Sequence, residues 1–206
     1  MEQRSPEWFA IRLGKLTASK MRDAISFKKD KTETADRAKY RMQLVCERLT
    51  GNPTPSFSNR AMEWGIEQEQ AARVAYEVKT GEFVTEVGFV DHPVIVGLGA
   101  SPDGLVGDDG AVEIKCPESL THLTWMTEGK VPDDHKAQMA TQLACTGRKW
   151  CDFVSYDPRF PAGLDLFIVR YKPTDDELAD LLEKAVQFLI EVDAVTNELN
   201  KRRSQI

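Results

Sequence analysis

One stretch of the sequence decides the fold that we predict: residues 100–117 read ASPDGLVGDDGAVEIKCP. Asp103 stands at a strand end or turn, and a Glu-x-Lys pattern begins ten residues later at Glu113. Because side chains alternate across a strand, Glu113 and Lys115 share one face while Ile114 turns to the core. A hairpin returns Asp103 to the side of Glu113. Two carboxylates and one amine therefore meet at one sheet edge.

These side chains have the composition of a site for a hard metal ion. Mg²⁺ prefers carboxylate oxygens and keeps positions open for water and phosphate oxygens. A lysine at position 115 could orient or deprotonate an attacking water. An ordinary explanation also exists, since Asp-Gly is common in hairpins and Glu-x-Lys is often a solvated salt-bridge face. The apolar Val112 and Ile114, and the strand end at Pro117, favour the metal site.

The rest of the sequence predicts alternating groups of helices and strands. Apolar residues at helical spacing indicate helices at 8–13, 17–25, 36–49, 59–81, 134–145 and 174–203. Alternating patterns indicate strands at 83–90, 94–100, 111–115, 150–156 and 164–171, the first three as an antiparallel meander. This order is typical of an α/β domain with a mixed central sheet flanked by helices. We expect one domain over 1–206, with a helical part at 1–82, a sheet core at 83–171 and a C-terminal helix at 174–203.

The composition excludes several classes of protein. With 27 Lys and Arg against 33 Asp and Glu, the 206-residue chain has a net charge of -6, which argues against a protein that coats nucleic acid. An enzyme whose local field differs from its total charge remains compatible. Without a long apolar run or an apolar signal-peptide core, we expect a cytoplasmic protein with no membrane segment. The four cysteines form no C-x-x-C pair, and we expect four buried free thiols.

Two predicted helices carry polar groups that agree with a site. On the helix from Asn59, Glu69 lies among small residues and could reach a metal above the sheet. For other polar residues of this helix we expect a solvated face: Glu63, Glu67 and Gln70. Gln138 and Gln142 lie one turn apart on an otherwise apolar helix face, where each needs a partner. A metal, its water, a phosphate or a backbone group would serve.

Six blocks of sequence, in order, resemble the phage lambda exonuclease family of viral recombinases, within the PD-(D/E)XK nuclease superfamily. The blocks are W-x₃-R-x-G-x₂-T-A-S at 8–19, W-G-x₃-E-x₂-A at 64–72, S-P-D-G at 101–104, E-I-K-C-P at 113–117, Gln138 nine residues before Gly147, and Y-D-P-R at 156–159. The resemblance covers about residues 6–171. It implies a restriction-endonuclease-like core within the α/β fold.

The resemblance also implies an activity. It implies an alkaline, Mg²⁺-dependent 5′-to-3′ exonuclease that digests one strand of linear double-stranded DNA to 5′-mononucleotides. The 3′ single-stranded tail would then serve recombination by strand annealing. Family members form ring-shaped homotrimers and work with a single-strand-annealing recombinase protein, so we expect both here. A phage or prophage would encode the protein, and it would act in the cytoplasm of a bacterial host.

The resemblance assigns roles to the central residues. Asp103 and Glu113 match metal-binding carboxylates, the Ile114 carbonyl matches a third ligand, and Lys115 matches the catalytic lysine. Accessory residues near the metals match two helix positions: Glu69 and Gln138. We expect two Mg²⁺ ions, or Mn²⁺ as a substitute, about 3.5–4 Å apart and bridged by Asp103.

Further positions match residues that contact DNA in the family. Arg12, Ser19 and Ser101 match residues that hold the terminal 5′-phosphate. A guanidinium fork with two hydroxyls receives a phosphate monoester better than a diester. Met62 stands where the family carries an apolar wedge that separates base pairs, and Arg60 would touch phosphate.

Two other functions compete with this prediction. An iron–sulfur nuclease of the same superfamily needs three closely spaced cysteines near the C-terminus, but only Cys145 and Cys151 lie there. A catalytically inactive DNA-end-binding module is the second alternative. Every position that the family uses for catalysis holds a competent residue here, which argues against that module.

Overall fold

The computed structural model describes residues 2–55 and 60–205, without the side chains of Ala61 and Met62. The helices of this part are α1 (Pro6–Arg12), α2 (Met21–Ala24), α3 (Ala35–Thr50), α4 (Arg60–Thr80), α5 (Ser119–Glu128), α6 (Asp133–Thr146) and α7 (Asp175–Arg203). The strands are β1 (Leu16–Thr17), β2 (Val84–Thr85), β3 (Val90–Asp91), β4 (Leu98–Ala100), β5 (Gly104–Val106), β6 (Gly110–Lys115), β7 (Trp150–Tyr156) and β8 (Leu166–Tyr171).

The strands of the described residues form two sheets. The larger sheet has the order β2-β5-β6-β7-β8, in which β6 and β7 are parallel and the other neighbours are antiparallel. The smaller sheet has the order β1-β4-β3, and β1 and β4 are parallel. Helices pack on these sheets, so the predicted mixed sheet flanked by helices is confirmed.

Strand β6 lies at the centre of the larger sheet and packs against helices on both faces. On one face, Val112 belongs to a buried cluster with Ala72 of α4. On the other face, Ala111 belongs to a cluster with Met139 of α6. Because side chains alternate along a strand, Glu113 lies on the face of Ala111 and points toward α6.

A third hydrophobic cluster joins the amino-terminal helices to α7. Its members include Met21, Leu44, Leu98 and Phe188. Arg37 of α3 also pairs with Glu191 of α7 at 2.8 Å. The predicted start of α7 is confirmed, because Thr174 and Glu177 form a capping box there. This packing holds β4, which leads directly into Ser101.

The predicted strands at 83–90 and 94–100 are wrong in extent and in pairing. The first segment contains β2 and the first residue of β3, which lie in different sheets. In the second segment only β4 is a strand. The reason is a turn that the His92 ring closes by accepting hydrogen bonds from the backbone N–H groups of Val94 and Ile95.

Four smaller points of the sequence prediction also need correction. Strand β5 lies where the sequence predicts only a turn, so β6 forms a hairpin with β5 instead of ending a meander. The helix predicted at 17–25 divides into a 3₁₀ turn at Ala18–Lys20 and the short α2. Helix α5 was not predicted, because apolar residues such as Leu120 stay exposed on it. Cys46 is exposed, whereas the other three thiols are buried as expected.

Within 2–55 and 60–205, no helix combines the length and apolar character needed to cross a bilayer.

Candidate active site

The β5–β6 hairpin brings Asp103 to β6. Gly104 pairs with Val112, so the residue before Gly104 lies beside Glu113 across the hairpin. The Asp103 Oδ2 atom accepts a hydrogen bond of 2.6 Å from the backbone N–H of Ile114. This bond fixes the carboxylate against the strand that carries Glu113.

Glu113 is a fully buried carboxylate whose two oxygens both accept hydrogen bonds. Lys115 and Gln138 donate to Oε1, the latter from Nε2 at 2.6 Å. Gln142 Nε2 donates to Oε2 at 2.5 Å. The two glutamines lie one turn apart on α6, and the partner that each needs is therefore Glu113.

Burial and neighbouring charges shift the pKa values of Asp103 and Lys115. Burial and the neighbouring charge of Glu113 raise the pKa of Asp103 well above its usual value. Burial acts to lower the pKa of Lys115, but the charges of Glu113 and Asp103 outweigh it and raise that pKa. The lysine is therefore protonated, and its positive charge lies beside Glu113.

Glu69 reaches the same region from α4. Its side chain is 19% exposed and accepts a hydrogen bond of 2.6 Å from Arg4 Nη2. Arg73 Nη2, one turn along α4, lies 3.5 Å from the other carboxylate oxygen. The charge of Glu69 also acts to raise the pKa values of Asp103 and Lys115. Glu69 therefore belongs electrostatically to the same cluster.

The donor groups fit a hard divalent cation. Among the residues that the structure describes, no three His, Cys, Asp or Glu side chains enclose a metal position. Mg²⁺, however, commonly binds through one or two carboxylates and completes its coordination with water. Asp103 and Glu113 provide two carboxylates, and Ile114, the next residue along β6, has a backbone carbonyl oxygen. Burial, and after it the charge of Glu113, raise the pKa of Asp103, and a bound cation would oppose both effects.

A second polar cluster lies at the end of β4. Ser101 Oγ accepts hydrogen bonds from Arg12 Nη1 at 3.1 Å and from Trp8 Nε1 at 2.9 Å. The Arg12 guanidinium lies over the Trp8 ring, 3.9 Å from its centroid. Ser19 follows β1, and the parallel pairing of β1 with β4 carries it to the same end of the small sheet as Ser101. Burial lowers the pKa of Arg12, a shift that a bound anion would oppose.

A polar cleft of about 300 Å³ runs from Ser19 to the two side chains that donate hydrogen bonds to Glu113 Oε1. Lys115, Gln138 and His135 line it. The His135 ring stacks on Phe153, with 5.3 Å between the ring centroids. Burial, with the charge of Lys115, lowers the pKa of His135 to about 4, so this side chain is neutral at neutral pH. The cleft connects one residue of the predicted phosphate pocket to the predicted catalytic residues.

Two predicted DNA contacts lie at the start of α4. Arg60 is the first residue of this helix and is exposed. Met62 belongs to the same helix, but its side chain lies outside the described residues. The wedge and the phosphate contact therefore stay predictions.

The amino-terminal segment supplies contacts that the sequence analysis missed. Trp8 lies one helical turn before Arg12, and that spacing could have indicated their contact. Arg4 carried no such signal, because its partner Glu69 lies 65 residues away in the chain. His135 could have been found from its spacing, one turn before Gln138 on the same helix face.

Comparison with known proteins identifies the family of the chain. The YqaJ-like viral recombinase domain matches residues 7–149. The chain is similar to the alkaline exonuclease LHK-Exo from Laribacter hongkongensis, with 46% identity, a TM-score of 0.90, and 98% of this chain and 99% of that chain covered. A structure of LHK-Exo in complex with dAMP matches with the same values.

A second similar protein shows the same fold. The phage-related exonuclease from Haemophilus somnus 129PT is 16% identical, with a TM-score of 0.72, and 90% of this chain and 96% of that chain are covered. None of the curated protein sequences matches the chain. The fold and the site define the chain as an enzyme, a nuclease. It belongs to the YqaJ-like viral recombinase family, and the predicted resemblance to lambda exonuclease-like proteins is confirmed.

Proposed function

We propose that this chain is a Mg²⁺-dependent 5′-to-3′ exonuclease of the PD-(D/E)XK type, formed by one domain over residues 1–206. Its substrate is linear double-stranded DNA, of which it digests one strand. The observation that carries the proposal is the convergence of Asp103, Glu113 and Lys115 beside a polar cleft. The complex of the similar LHK-Exo with dAMP supports 5′-mononucleotides as products.

The metal-binding part of the site consists of oxygen donors. Asp103, Glu113 and the Ile114 carbonyl would hold Mg²⁺ or Mn²⁺, with Glu69 as an accessory group and two ions as the family resemblance implies. When bound, the metal lowers the pKa of water and stabilises negative charge on the phosphate. The hydrogen bonds that fix Asp103 and Glu113 keep both carboxylates in place before the substrate arrives.

Lys115 and Gln138 act on the reacting groups from the cleft wall. The protonated Lys115 amine can donate a hydrogen bond to the scissile phosphate or position the attacking water. Gln138 Nε2 donates a hydrogen bond to the same Glu113 oxygen that accepts one from Lys115. This shared acceptor keeps the Lys115 amine and the Glu113 carboxylate next to each other. The chain supplies charge and orientation, which are the main contributions a protein makes to phosphoryl transfer.

The polarity of digestion follows from the proposed phosphate pocket. Arg12, Ser19 and Ser101 would bind the 5′-terminal phosphate, because a monoester carries more charge than the diesters inside the strand. A strand whose 5′ end is held there is presented with its first phosphodiester toward the cleft. Cleavage at that position releases one mononucleotide and leaves a new 5′-phosphate for the next step.

The remaining parts of the proposal concern DNA strands and partners. Met62 would separate the two strands and Arg60 would contact phosphate at the start of α4. A homotrimeric ring would enclose the duplex, and a single-strand-annealing recombinase would receive the 3′ tail. We place the protein in the cytoplasm of a bacterial host, encoded by a phage or prophage.

Digestion of end-labelled duplexes tests the activity and its polarity together. We expect Mg²⁺ to support release of 5′-mononucleotides from a duplex with 5′-phosphate ends, and slower release from 5′-hydroxyl or blocked ends. The matched control is the Asp103→Ala variant, which should lose cleavage while it still holds DNA ends. A wild-type protein that releases no acid-soluble nucleotide would contradict the proposed exonuclease activity.

The iron–sulfur alternative is tested by the colour of the purified protein. Three of the four thiols are buried: Cys116, Cys145 and Cys151. Burial raises the pKa of Cys116 and of Cys145 to about 12, so neither is prepared as a thiolate ligand. We therefore expect a colourless protein without visible absorption bands.

A further inference from the structure

The segment that precedes α1 lies against the candidate metal site. Gln3 Nε2 donates hydrogen bonds to two backbone carbonyls, of Val87 at 2.8 Å and of Pro102 at 2.9 Å. Pro102 directly precedes Asp103, so these bonds fasten the segment at the edge of the carboxylate cluster. The next residue along this segment is Arg4.

Arg4 adopts a backbone conformation that a residue with a side chain rarely keeps. Its φ angle is 68°, in the left-handed region that favours glycine. With this backbone conformation next to the anchored Gln3, the Arg4 Nη2 atom lies 2.6 Å from Glu69 Oε2. Strained conformations of this kind are found where a side chain has to be held at a particular place.

We propose that Arg4 is an internal cation of the active site, which occupies Glu69 until a divalent metal displaces it. This inference rests on the proposed metal-dependent function. The Glu69 oxygen that accepts the Arg4 hydrogen bond cannot offer the same lone pair to a metal or to a metal-bound water. Arg4 therefore competes with the metal and weakens its binding.

Arg4, and not Arg73, is the group that can leave. The Arg73 side chain is only 14% exposed, belongs to the same helix as Glu69, and also pairs with Glu86. The Arg4 side chain is 46% exposed and approaches from a separate segment. Water can solvate the Arg4 guanidinium as it withdraws, whereas Arg73 stays where its helix holds it.

Titration of the DNA-free protein with Mn²⁺, followed by the electron paramagnetic resonance signal of the free ion, tests the competition. We expect Arg4→Gln to bind Mn²⁺ about threefold to tenfold more tightly, the range of a partly exposed charged hydrogen bond. Gln3→Ala should also tighten Mn²⁺ binding, because it removes the two hydrogen bonds that anchor the segment carrying Arg4. This change leaves the charge of the protein unaltered. The matched control is Lys184→Gln, which breaks a comparable ion pair with Asp180 on α7 and should leave the affinity unchanged.

A double-mutant cycle shows whether Arg4 acts through Glu69. In a Glu69→Gln background, the additional Arg4→Gln change should alter the Mn²⁺ affinity less than twofold, because the competing contact is already gone. An unchanged or weaker Mn²⁺ affinity for Arg4→Gln would overturn the inference, as would an equal gain in both backgrounds. If wild-type protein shows no Mn²⁺ binding that Asp103→Ala removes, the proposed metal-dependent function fails as well.

Discussion

Gln142 donates a hydrogen bond of 2.5 Å to Glu113, and both side chains are completely buried between α6 and β6. A buried carboxylate is tolerated only when its oxygens accept hydrogen bonds. The hydrogen bond from Gln142 therefore helps to stabilise Glu113 in the core. The proposed metal ligand is thus oriented from inside the hydrophobic core rather than from a surface loop. The packing of α6 on β6 therefore holds the Glu113 carboxylate in a fixed position.

Replacement of Gln142 by Leu should reduce stability. The change removes a buried donor from Glu113 Oε2, and we expect the free energy of unfolding of the metal-free protein to fall by about 1–3 kcal/mol. Urea denaturation measures this difference. Gln138→Leu is the control, because Gln138 is only partly buried and water can replace its donor, so its loss should be smaller. Equal stability of Gln142→Leu and wild type would contradict the role of the buried bond.

Replacement of Lys115 by Ala should remove most of the cleavage activity. A residue that positions or transfers a proton in the transition state typically contributes about 10²–10⁴-fold to the rate, and we expect a loss in that range. Single-turnover release of acid-soluble nucleotide measures it. Binding of DNA ends, measured by mobility shift with Ca²⁺ in place of Mg²⁺, should persist. Lys184→Ala on α7 serves as the control and should keep the wild-type rate.

The core of the candidate site could be predicted because it depends on local geometry. Glu113 and Lys115 share a face through strand alternation, and Asp103 returns to them through a short hairpin. The start of α7 at Thr174 followed from capping chemistry that involves residues three positions apart. In each case the interacting groups are near one another in the chain.

What could not be predicted depends on distant parts of the chain. The contacts of Arg4 with Glu69 and of Gln3 with Pro102 join segments separated by 65 and 99 residues. No periodic pattern records such contacts, because they arise only when the helices and sheets have packed. The division of the strands near 83–100 between two sheets has the same origin. Strand β4 pairs with the distant β1, whereas local patterns suggest that β4 belongs to an antiparallel meander.

The pH dependence of stability should include a contribution from His135. Its folded-state pKa of about 4 lies below the ordinary value of 6.5, because burial and the charge of Lys115 disfavour the imidazolium. Between these two pH values the unfolded chain binds more protons, so stability falls as pH decreases from 6.5 to 4. The contribution is fully present above this window. At its lower end we expect a loss of about 2–3 kcal/mol.

The His135→Phe variant isolates this contribution. Phenylalanine keeps a ring that can stack on Phe153 and contact Trp125, but it cannot take up a proton. Chemical denaturation of metal-free wild type and variant at several pH values gives the two slopes. The variant should lose less stability on acidification, and parallel curves for the two proteins would show that His135 does not titrate as its burial predicts.

Trp8 should determine how well Arg12 recognises a 5′-phosphate. Its ring lies under the guanidinium and its Nε1 atom holds Ser101, so it positions two groups of the proposed pocket. A cation–π contact is worth about 0.5–2 kcal/mol, so Trp8→Leu should lower the ratio of kcat/KM for 5′-phosphate over 5′-hydroxyl ends by about threefold to tenfold. Trp8→Phe keeps a ring under Arg12 but loses the hydrogen bond, and an intermediate ratio is expected.

Phe9→Leu is the control, because Phe9 is 51% exposed beside Trp8, and this change should leave the ratio unaltered. Arg12→Gln should abolish the preference for 5′-phosphate ends. A Trp8→Leu variant that still prefers 5′-phosphate ends as strongly as wild type would mean that Arg12 needs no support from the ring.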